Sequence, residues 1–119
     1  MIEIKEASRE FNEVETYLMT ISPAIKSLKD VSDDTHIPVD GVMIFEDIKE
    51  TTGEVTEVMS IITPDKDVYC CQSATFKRSI KDIMKIMGDK PFTVVKTSGV
   101  TKAGRDFINC TLDTKALMQ

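Results

Sequence analysis

The residue types that could support catalysis are sparse in this chain of 119 residues. His36 is the only histidine, so a Cys-His or Ser-His nucleophile pair would have to use this one residue, close to Pro38. The acidic residues Asp30, Asp33 and Asp34 lack the loop glycine and the closing glutamate of a calcium site of the EF-hand kind. No Gly-rich phosphate loop and no helix of the HExxH kind is present. We therefore predict that the chain is not an enzyme and uses no metal or cofactor.

The three cysteines do not form a recognisable framework. Cys70 and Cys71 are adjacent, so they should point to opposite faces of a strand, and Cys110 stands far from both. The number of cysteines is odd and no C-x-x-C pair occurs, and both observations argue against a disulfide framework and against a zinc knuckle. We expect three reduced, semi-buried thiols in an intracellular protein.

Aromatic rings offer a second kind of chemistry, because the bases of a single nucleic-acid strand stack on exposed rings at about 1 to 3 kcal/mol each. The chain has 5 Phe, 2 Tyr and no Trp, so few rings are available. Tyr69, Phe107 and Phe45 are the best candidates, because each lies in a predicted strand. Core packing is the alternative for all three: Phe45 continues an apolar row that includes Met43, and Phe107 could equally fill the core. Tyr69 keeps a polar hydroxyl, which favours exposure.

Positive side chains are the other requirement for binding a strand, because they meet its phosphates. The last predicted hairpin carries the candidates Lys96, Lys102 and Arg105, and the first hairpin carries Lys49. The predicted helix begins with two more, Lys77 and Arg78, for which a solvated polar face is the alternative.

The elements that must position these residues follow from the hydrophobic periodicity. Apolar residues recur at helical spacing from Phe76 to Met87, with Ser73 as the N-cap and Gly88 as the C-terminal cap. Turn residues separate strand-like runs on both sides of this helix. We predict strands at residues 37–48, 55–63, 68–72, 92–97 and 105–112, with a further short strand at 24–31 and a short helix or arm within 1–23.

The first of the five strands is apolar on both faces. One face is predicted to hold Ile37, Val39, Gly41, Met43 and Phe45, and the other face Val42, Ile44 and Ile48. Such a strand is either buried on both sides or bent across a barrel corner near Gly41.

Three strands, one helix and a last hairpin, in that order, are typical of an OB fold, a small five-stranded barrel that often binds single strands. We therefore predict a mainly β protein with one OB-fold domain over residues 1–119. Residues 1–23 would form the N-terminal arm, 24–112 the barrel and 113–119 a loose tail. In this fold Tyr69 lies on a strand of the ligand face, and the loop at Lys102 to Arg105 flanks the groove.

The charge is divided unevenly along the chain. Residues 1–72 carry 6 Lys+Arg and 16 Asp+Glu, a net charge of −10, whereas residues 73–119 carry 9 and 4, a net charge of +5. A strand of nucleic acid would meet the basic part only if the fold separates the two in space.

Three stretches of the chain carry a resemblance to a known family. They are residues 41–73 (GVMIFEDIKETTGEVTEVMSIITPDKDVYCCQS), residues 98–112 (SGVTKAGRDFINCTL) and the helix start SATFKRS. They resemble small OB-fold single-stranded DNA-binding proteins encoded by phages of Gram-positive bacteria. The resemblance implies a non-enzymatic protein that coats single-stranded DNA in phage replication or recombination, in the host cytoplasm and as an oligomer. It also supports Tyr69 and the Lys102 to Phe107 hairpin as groove residues.

Partners and location complete the predictions. The expected ligand is single-stranded DNA, bound with little regard to sequence, with replication or recombination proteins as further partners. No apolar run approaches the roughly 18 residues that span a bilayer, and the first residues have no signal-peptide pattern, so we expect no membrane association. The alternative function is a protein-interaction or virion-assembly module, which the acidic first 72 residues favour.

Overall fold

The computed structural model describes residues 1–88 and 90–117, and this part of the chain is mainly β, as predicted. The strands are β1 (Ile2–Ala7), β2 (Lys26–Ser27), β3 (His36–Val39), β4 (Gly41–Ile48), β5 (Val55–Ile62), β6 (Val68–Cys71), β7 (Phe92–Val100) and β8 (Asp106–Leu112). The helices are α1 (Glu13–Thr20), α2 (Ala74–Met87) and α3 (Thr114–Leu117), with one turn of 3-10 helix at Leu28–Asp30.

The strands form two sheets that share one long segment. The first sheet has the order β1-β4-β5-β6-β2 and the second the order β3-β7-β8. Only Asp40 separates β3 from β4, so residues 36–48 pass from one sheet into the other. The predicted order of three strands, helix and hairpin is present as β4-β5-β6-α2-β7-β8. The predicted closed barrel is not, because in the described residues no strand ladder joins β6 to β8.

The bend between β3 and β4 shifts the side-chain alternation by one residue. Ile37 and Val39 point into the core between the sheets, and so do Val42 and Ile44 beyond the bend. Met43 and Phe45 point to the opposite face of the first sheet. The prediction that 37, 39, 43 and 45 share one face is therefore wrong, because it assumed an unbroken period of two across a strand that bends. The bend itself, near Gly41, is confirmed.

Gly41 is required at the bend because an aromatic ring lies against it. A Cβ atom at this position would be 2.6 Å from Cε1 of Phe11, so no larger residue fits without displacing the ring. Phe11 belongs to the segment between β1 and α1, which thus packs onto the corner of the shared strand.

Helix α2 forms as predicted and closes one end of the core. The hydroxyl of its N-cap, Ser73, accepts a hydrogen bond from the Phe76 backbone N–H at 3.2 Å. Gly88 ends the helix with a φ of 66°, a left-handed value that favours glycine. Phe76 and Ile80 are completely buried among the residues between the two sheets.

The N-terminal arm is more ordered than its sequence indicates. Its first part is strand β1, which pairs with β4 in antiparallel register. Its second part is α1, whose Met19 is buried with Met43 and Phe45 on the outer face of the first sheet. Strand β1 thus extends the first sheet beside β4, and α1 covers part of the sheet face opposite to the core between the sheets.

The segment 24–31 and the C-terminal tail also differ from their predicted structures. The strand predicted at 24–31 is only two residues long, because the chain turns into the 3-10 helix at Leu28, whose side chain is buried. The tail predicted to be loose contains α3, and its residues 118 and 119 lie outside the described residues.

The carboxylate of Glu15 ties the arm to the rest of the molecule. It accepts hydrogen bonds from Arg9 Nη2 at 2.8 Å and from Lys66 Nζ, in the β5-β6 turn, at 3.1 Å. It also accepts the backbone N–H of Asn12, while the Asn12 side chain accepts that of Glu15, which completes a capping box on α1. Arg9 continues the network to Asp40 at 3.0 Å. The hydrogen bonds from Arg9, Asn12 and Lys66 lower the pKa of Glu15 to about 2.

We predict that Glu15→Gln lowers the free energy of unfolding at pH 7 by about 2 kcal/mol, the usual size for hydrogen bonds to a buried charged group. Because the folded pKa is about 2 and the ordinary value is 4.5, this stabilisation is complete above about pH 4.5 and is lost as the pH falls toward 2. Urea unfolding of both proteins at several pH values measures the difference.

The matched control is Glu13→Gln, which removes the same charge from the exposed side of α1. It should change the unfolding free energy by less than about 0.5 kcal/mol. A Glu15→Gln cost that stays the same from pH 7 to pH 3 would contradict the assignment of the stabilisation to the ionised carboxylate.

Candidate nucleic-acid interface

An open groove lies where β6 and β8 come together without pairing. Its volume is about 930 Å³. One wall is the end of β6 with the start of α2, and another is the β7-β8 hairpin; the third wall is formed by residues 27–30 around the 3-10 helix. The hydroxyl of Ser73, the N-cap of α2, donates a hydrogen bond to the Ile108 carbonyl of β8 at 3.3 Å, so a side-chain contact joins the segment after β6 to β8.

Phe107 is the predicted stacking residue that lies in this groove. It is half-buried on β8 and stands directly opposite Gly99 of β7 in the strand register. The tip of its ring reaches across the ladder, so that a Cβ atom on Gly99 would be 2.6 Å from Cζ of Phe107. The ring therefore lies on the hairpin surface and lines the groove instead of filling the core between the sheets.

Tyr69 and Phe45 are not in the groove. Tyr69 is half-buried against the core between the sheets, and Lys26 Nζ lies 5.5 Å from the centre of its ring. Phe45 is only 3% exposed, in the cluster beneath α1. The stacking role predicted for Phe45 does not fit this position, because both ring faces are packed; the core alternative describes it correctly.

Lys96 lines the groove but is not free to meet a phosphate. Its side chain is buried, and Nζ donates a hydrogen bond to the Val31 carbonyl at 2.8 Å and contacts Asp33 Oδ1 at 3.1 Å. The Ser98 hydroxyl donates to the other oxygen of Asp33. The bonds from Ser98 and Lys96 lower the pKa of Asp33. The predicted phosphate contact is thus a structural link that joins the loop after the 3-10 helix to β7.

Lys102 and Arg105 stand at the rim of the groove. Both are exposed in the β7-β8 turn, next to the groove residues Val100 and Asp106, and neither forms an ion pair with another described residue. The turn is fixed by the backbone bond from Gly104 to Thr101. These two positive charges are available to a ligand.

The other predicted basic residues lie elsewhere. Lys49 is exposed in the β4-β5 turn, 3.9 Å from Glu54 Oε2. Lys77 donates to the carbonyl and the carboxylate of Glu57, and its neighbour Arg78 is exposed on α2. None of the three lines the groove.

The groove also contains residues that sequence reasoning missed. Lys29 is exposed on the third wall, and Gln72 is exposed at the end of β6. Lys29 lies in the stretch 24–31, for which the sequence predicts a strand. Its position in the groove wall depends on the 3-10 turn that begins at Leu28. The hydrophobic period of that stretch carries no signal for such a turn.

Residues before Ser27 do not line the groove in the described structure. In the acidic arm, β1 is the edge strand beside β4, and α1 packs on the outer face of the first sheet. The arm's five acidic residues are therefore placed away from the groove, whereas Asp30 lines it.

The cysteines are free thiols with different positions relative to the groove. Cys70 is half-buried and lines it, whereas Cys71 and Cys110 are buried. Burial raises the pKa of Cys70, that of Cys71 to about 11 and that of Cys110 to about 12. Burial therefore disfavours the thiolate form of all three cysteines.

His36 has a structural partner: its Nδ1 lies 2.9 Å from Asp113 Oδ2. Among the described residues, no group of three or more His, Cys, Asp or Glu side chains could hold a metal ion. Within the same part of the chain, no helix is long and apolar enough to cross a membrane.

Comparison with known proteins supplies the identity of the chain. Residues 11–113 match the model of one family, described as Phage Single-stranded DNA-binding protein. No curated protein and no solved structure matches significantly. The matched segment includes β2–β8, α1 and α2, and therefore the whole groove. The family is defined by binding and not by a reaction, and nothing in the comparisons supports the alternative of a protein-interaction module. The chain belongs to the family of phage single-stranded DNA-binding proteins, and its function is to bind single-stranded DNA in phage DNA replication.

Proposed function

We propose that the single strand is bound in the groove between β6 and β8, with little regard to its sequence. The observation that carries this proposal is the position of Phe107, the one aromatic ring that lines the groove among the described residues. Every base has a flat face that can stack on such a ring, so the contact does not select one base. The proposed binding mode is therefore suited to coating DNA of any sequence.

Phosphate contacts in this proposal come from the rim. Lys102 and Arg105 are exposed beside Phe107, and Lys29 faces the groove from the opposite wall. The lining itself is mixed, because Asp30 and Asp106 are also present. The positive rim thus guides the backbone, while the groove receives the bases. Tyr69, Lys49, Lys77 and Arg78 remain candidates only for a strand that continues beyond the groove.

Lys96 has an indirect role in this proposal. By binding Val31 and Asp33 it connects β7 to the segment that follows the third wall. It thereby helps to set the distance between two walls of the groove. A cation whose bonds are already made in this way adds little attraction for phosphate.

The fold that supports this function is an OB fold with an open seam, in our proposal. In support, the strands follow each other in space as β6-β5-β4 and β3-β7-β8 around the shared segment 36–48. Helix α2 connects β6 to β7 and buries Phe76 and Ile80 in the core. This agrees with the order predicted from the sequence for an OB barrel. In this proposal β6 and β8 are left unpaired with each other, and the groove lies where a closed barrel would have a ladder between them.

We also place the protein in the host cytoplasm, where phage DNA is copied, and propose that several copies coat one strand, during replication or recombination. The support is the limited size of the groove, about 930 Å³, which can contact only a short part of a strand. Oligomers and replication or recombination proteins as partners belong to this proposal.

We predict that the protein binds a labelled oligo-dT of about 35 nucleotides, enough for two sites of the size usual for OB domains. The affinity should fall steeply between about 50 and 200 mM salt, because bound phosphates release counterions. The matching duplex should bind much more weakly, since its bases are not free to stack. Fluorescence anisotropy measures both ligands in parallel. Equal binding of duplex and single strand would contradict stacking in the groove.

We predict that replacing both rim residues, Lys102→Ala with Arg105→Ala, reduces the slope of log affinity against log salt by about 1.4, because each phosphate neutralised on a single strand contributes about 0.7. The charge-matched control is Lys85→Ala with Lys90→Ala, two exposed residues at the end of α2 and just after it, outside the groove. The control should change the slope by less than half as much. A larger effect of the control pair would place the strand at that end of α2 instead.

A further inference from the structure

Gly99 and Phe107 form a cross-strand pair of the β7-β8 ladder in which the aromatic ring lies over the glycine. The two residues are directly opposite, and the ring occupies the space where a side chain at position 99 would begin. The distances from an ideal Cβ to the ring are 2.6 Å for Cζ and 2.9 Å for Cε1, both shorter than the distances that real Cβ atoms show. Glycine is therefore the residue at 99 that leaves the ring where it is.

Local backbone geometry does not explain this glycine. Position 99 lies inside β7, where glycine weakens a strand and offers no side chain for packing. It is not among the residues with positive φ, unlike Gly53, Gly88 and Gly104. The remaining physical reason is the close approach of the Phe107 ring.

The position of the ring matters because of the groove. Both Gly99 and Phe107 line it, and Phe107 is half-buried, so part of its surface faces the open space. A ring that rests across the neighbouring strand is already ordered before a base arrives. Binding then does not require further ordering of this side chain, and preorganisation of this kind raises affinity.

We propose that Gly99 is a positioning residue for single-stranded DNA binding, which acts by holding the Phe107 ring across β7 as a stacking surface. The proposal rests on the proposed function, in which Phe107 stacks on a base. Gly99 itself makes no contact with DNA in this role. A side chain at 99 displaces the ring tip into the groove, where the ring is no longer supported by β7 and takes up space meant for the base.

The test is a double-mutant cycle on oligo-dT affinity with Gly99→Ala, Phe107→Ala and the combination of the two. Each single change should weaken binding by about tenfold, the effect expected when roughly one base no longer stacks. The double variant should bind like Phe107→Ala alone, because without the ring the extra methyl group displaces nothing. The salt slope should stay at the wild-type value in all three variants, since the phosphate-binding side chains are unchanged.

Folding is measured on the same samples by thermal unfolding. Thr111→Ala is the control, an exposed residue on the same hairpin that does not line the groove, and it should leave affinity unchanged. If Gly99→Ala lowers Tm, the steric explanation predicts a smaller decrease of Tm from the same change when Phe107 is Ala. This second readout applies even if the single variant folds too poorly for a binding measurement.

The outcomes separate the two proposals. If Phe107→Ala binds like the wild type, the stacking site of the proposed function is wrong, and the role of Gly99 falls with it. If Phe107→Ala weakens binding but Gly99→Ala does not, only the positioning role is wrong. Equal decreases in affinity from Gly99→Ala in the presence and absence of the ring also overturn it, because the effect would then not pass through Phe107.

Discussion

The sharing of residues 36–48 between two sheets is the constraint on which the rest of this structure depends. Strand β3 pairs with β7 and strand β4 with β5, so the sheets diverge from one continuous segment. The bend at Asp40 and Gly41 turns the inner face of that segment by one residue, which allows both halves to contribute to one core. Strand β8, an edge of the second sheet, then faces β6 of the first sheet without a ladder, while the two-residue β2 pairs with the other side of β6. Parts of β6 and β8, together with residues 27–30, line the groove. A fully paired barrel would close this space.

The N-terminal arm stabilises the bend and also keeps part of the negative charge away from the groove. Phe11 packs on Gly41, and Arg9 connects Asp40 to the buried carboxylate of Glu15. The same arm carries five of the sixteen acidic residues of the first 72 positions. Its strand β1 lies at the edge of the first sheet and its helix α1 on the sheet face away from the core between the sheets. A protein with a net charge of −5 can therefore present a positive hairpin, at Lys102 and Arg105, to an anionic strand.

The parts of the structure with strong local signals were predictable, whereas those set by tertiary contacts were not. Helix α2 has caps at both ends and a clear apolar stripe, so its limits followed from sequence. Strand β1 carries mostly exposed residues, and its pairing with β4 depends on a partner about 40 residues away, which no local period reports. Residues 36–48 belong to both sheets, and the sequence indicates this only as a strand that is apolar on both faces. The one-residue shift of the side-chain alternation at the bend cannot be read from the pattern of apolar residues.

The same division applies to the candidate site. Lys96 and Phe45 have the residue types that nucleic-acid binding requires, yet Lys96 is bound by Val31 and Asp33 and Phe45 is buried in the cluster on the outer face of the first sheet. The exposed fraction of each side chain distinguishes ligand contact from structural packing, and this fraction cannot be read from a single sequence. Phe107 was identified with core packing as the rival; its distinguishing feature is the glycine opposite, a pairing that becomes visible only with the hairpin register.

The measurement that tests the central claim most directly is protection of Cys70 from alkylation by a maleimide, at mildly alkaline pH because burial raises the pKa of this thiol. Cys70 lines the groove and is the cysteine with partial exposure, while Cys71 and Cys110 are buried, so mass spectrometry of the labelled peptide follows one site. With the strand in the groove, saturating oligo-dT slows the reaction of Cys70, and high salt restores the rate as the complex dissociates. An unchanged rate at saturation would show that the strand binds elsewhere on the protein.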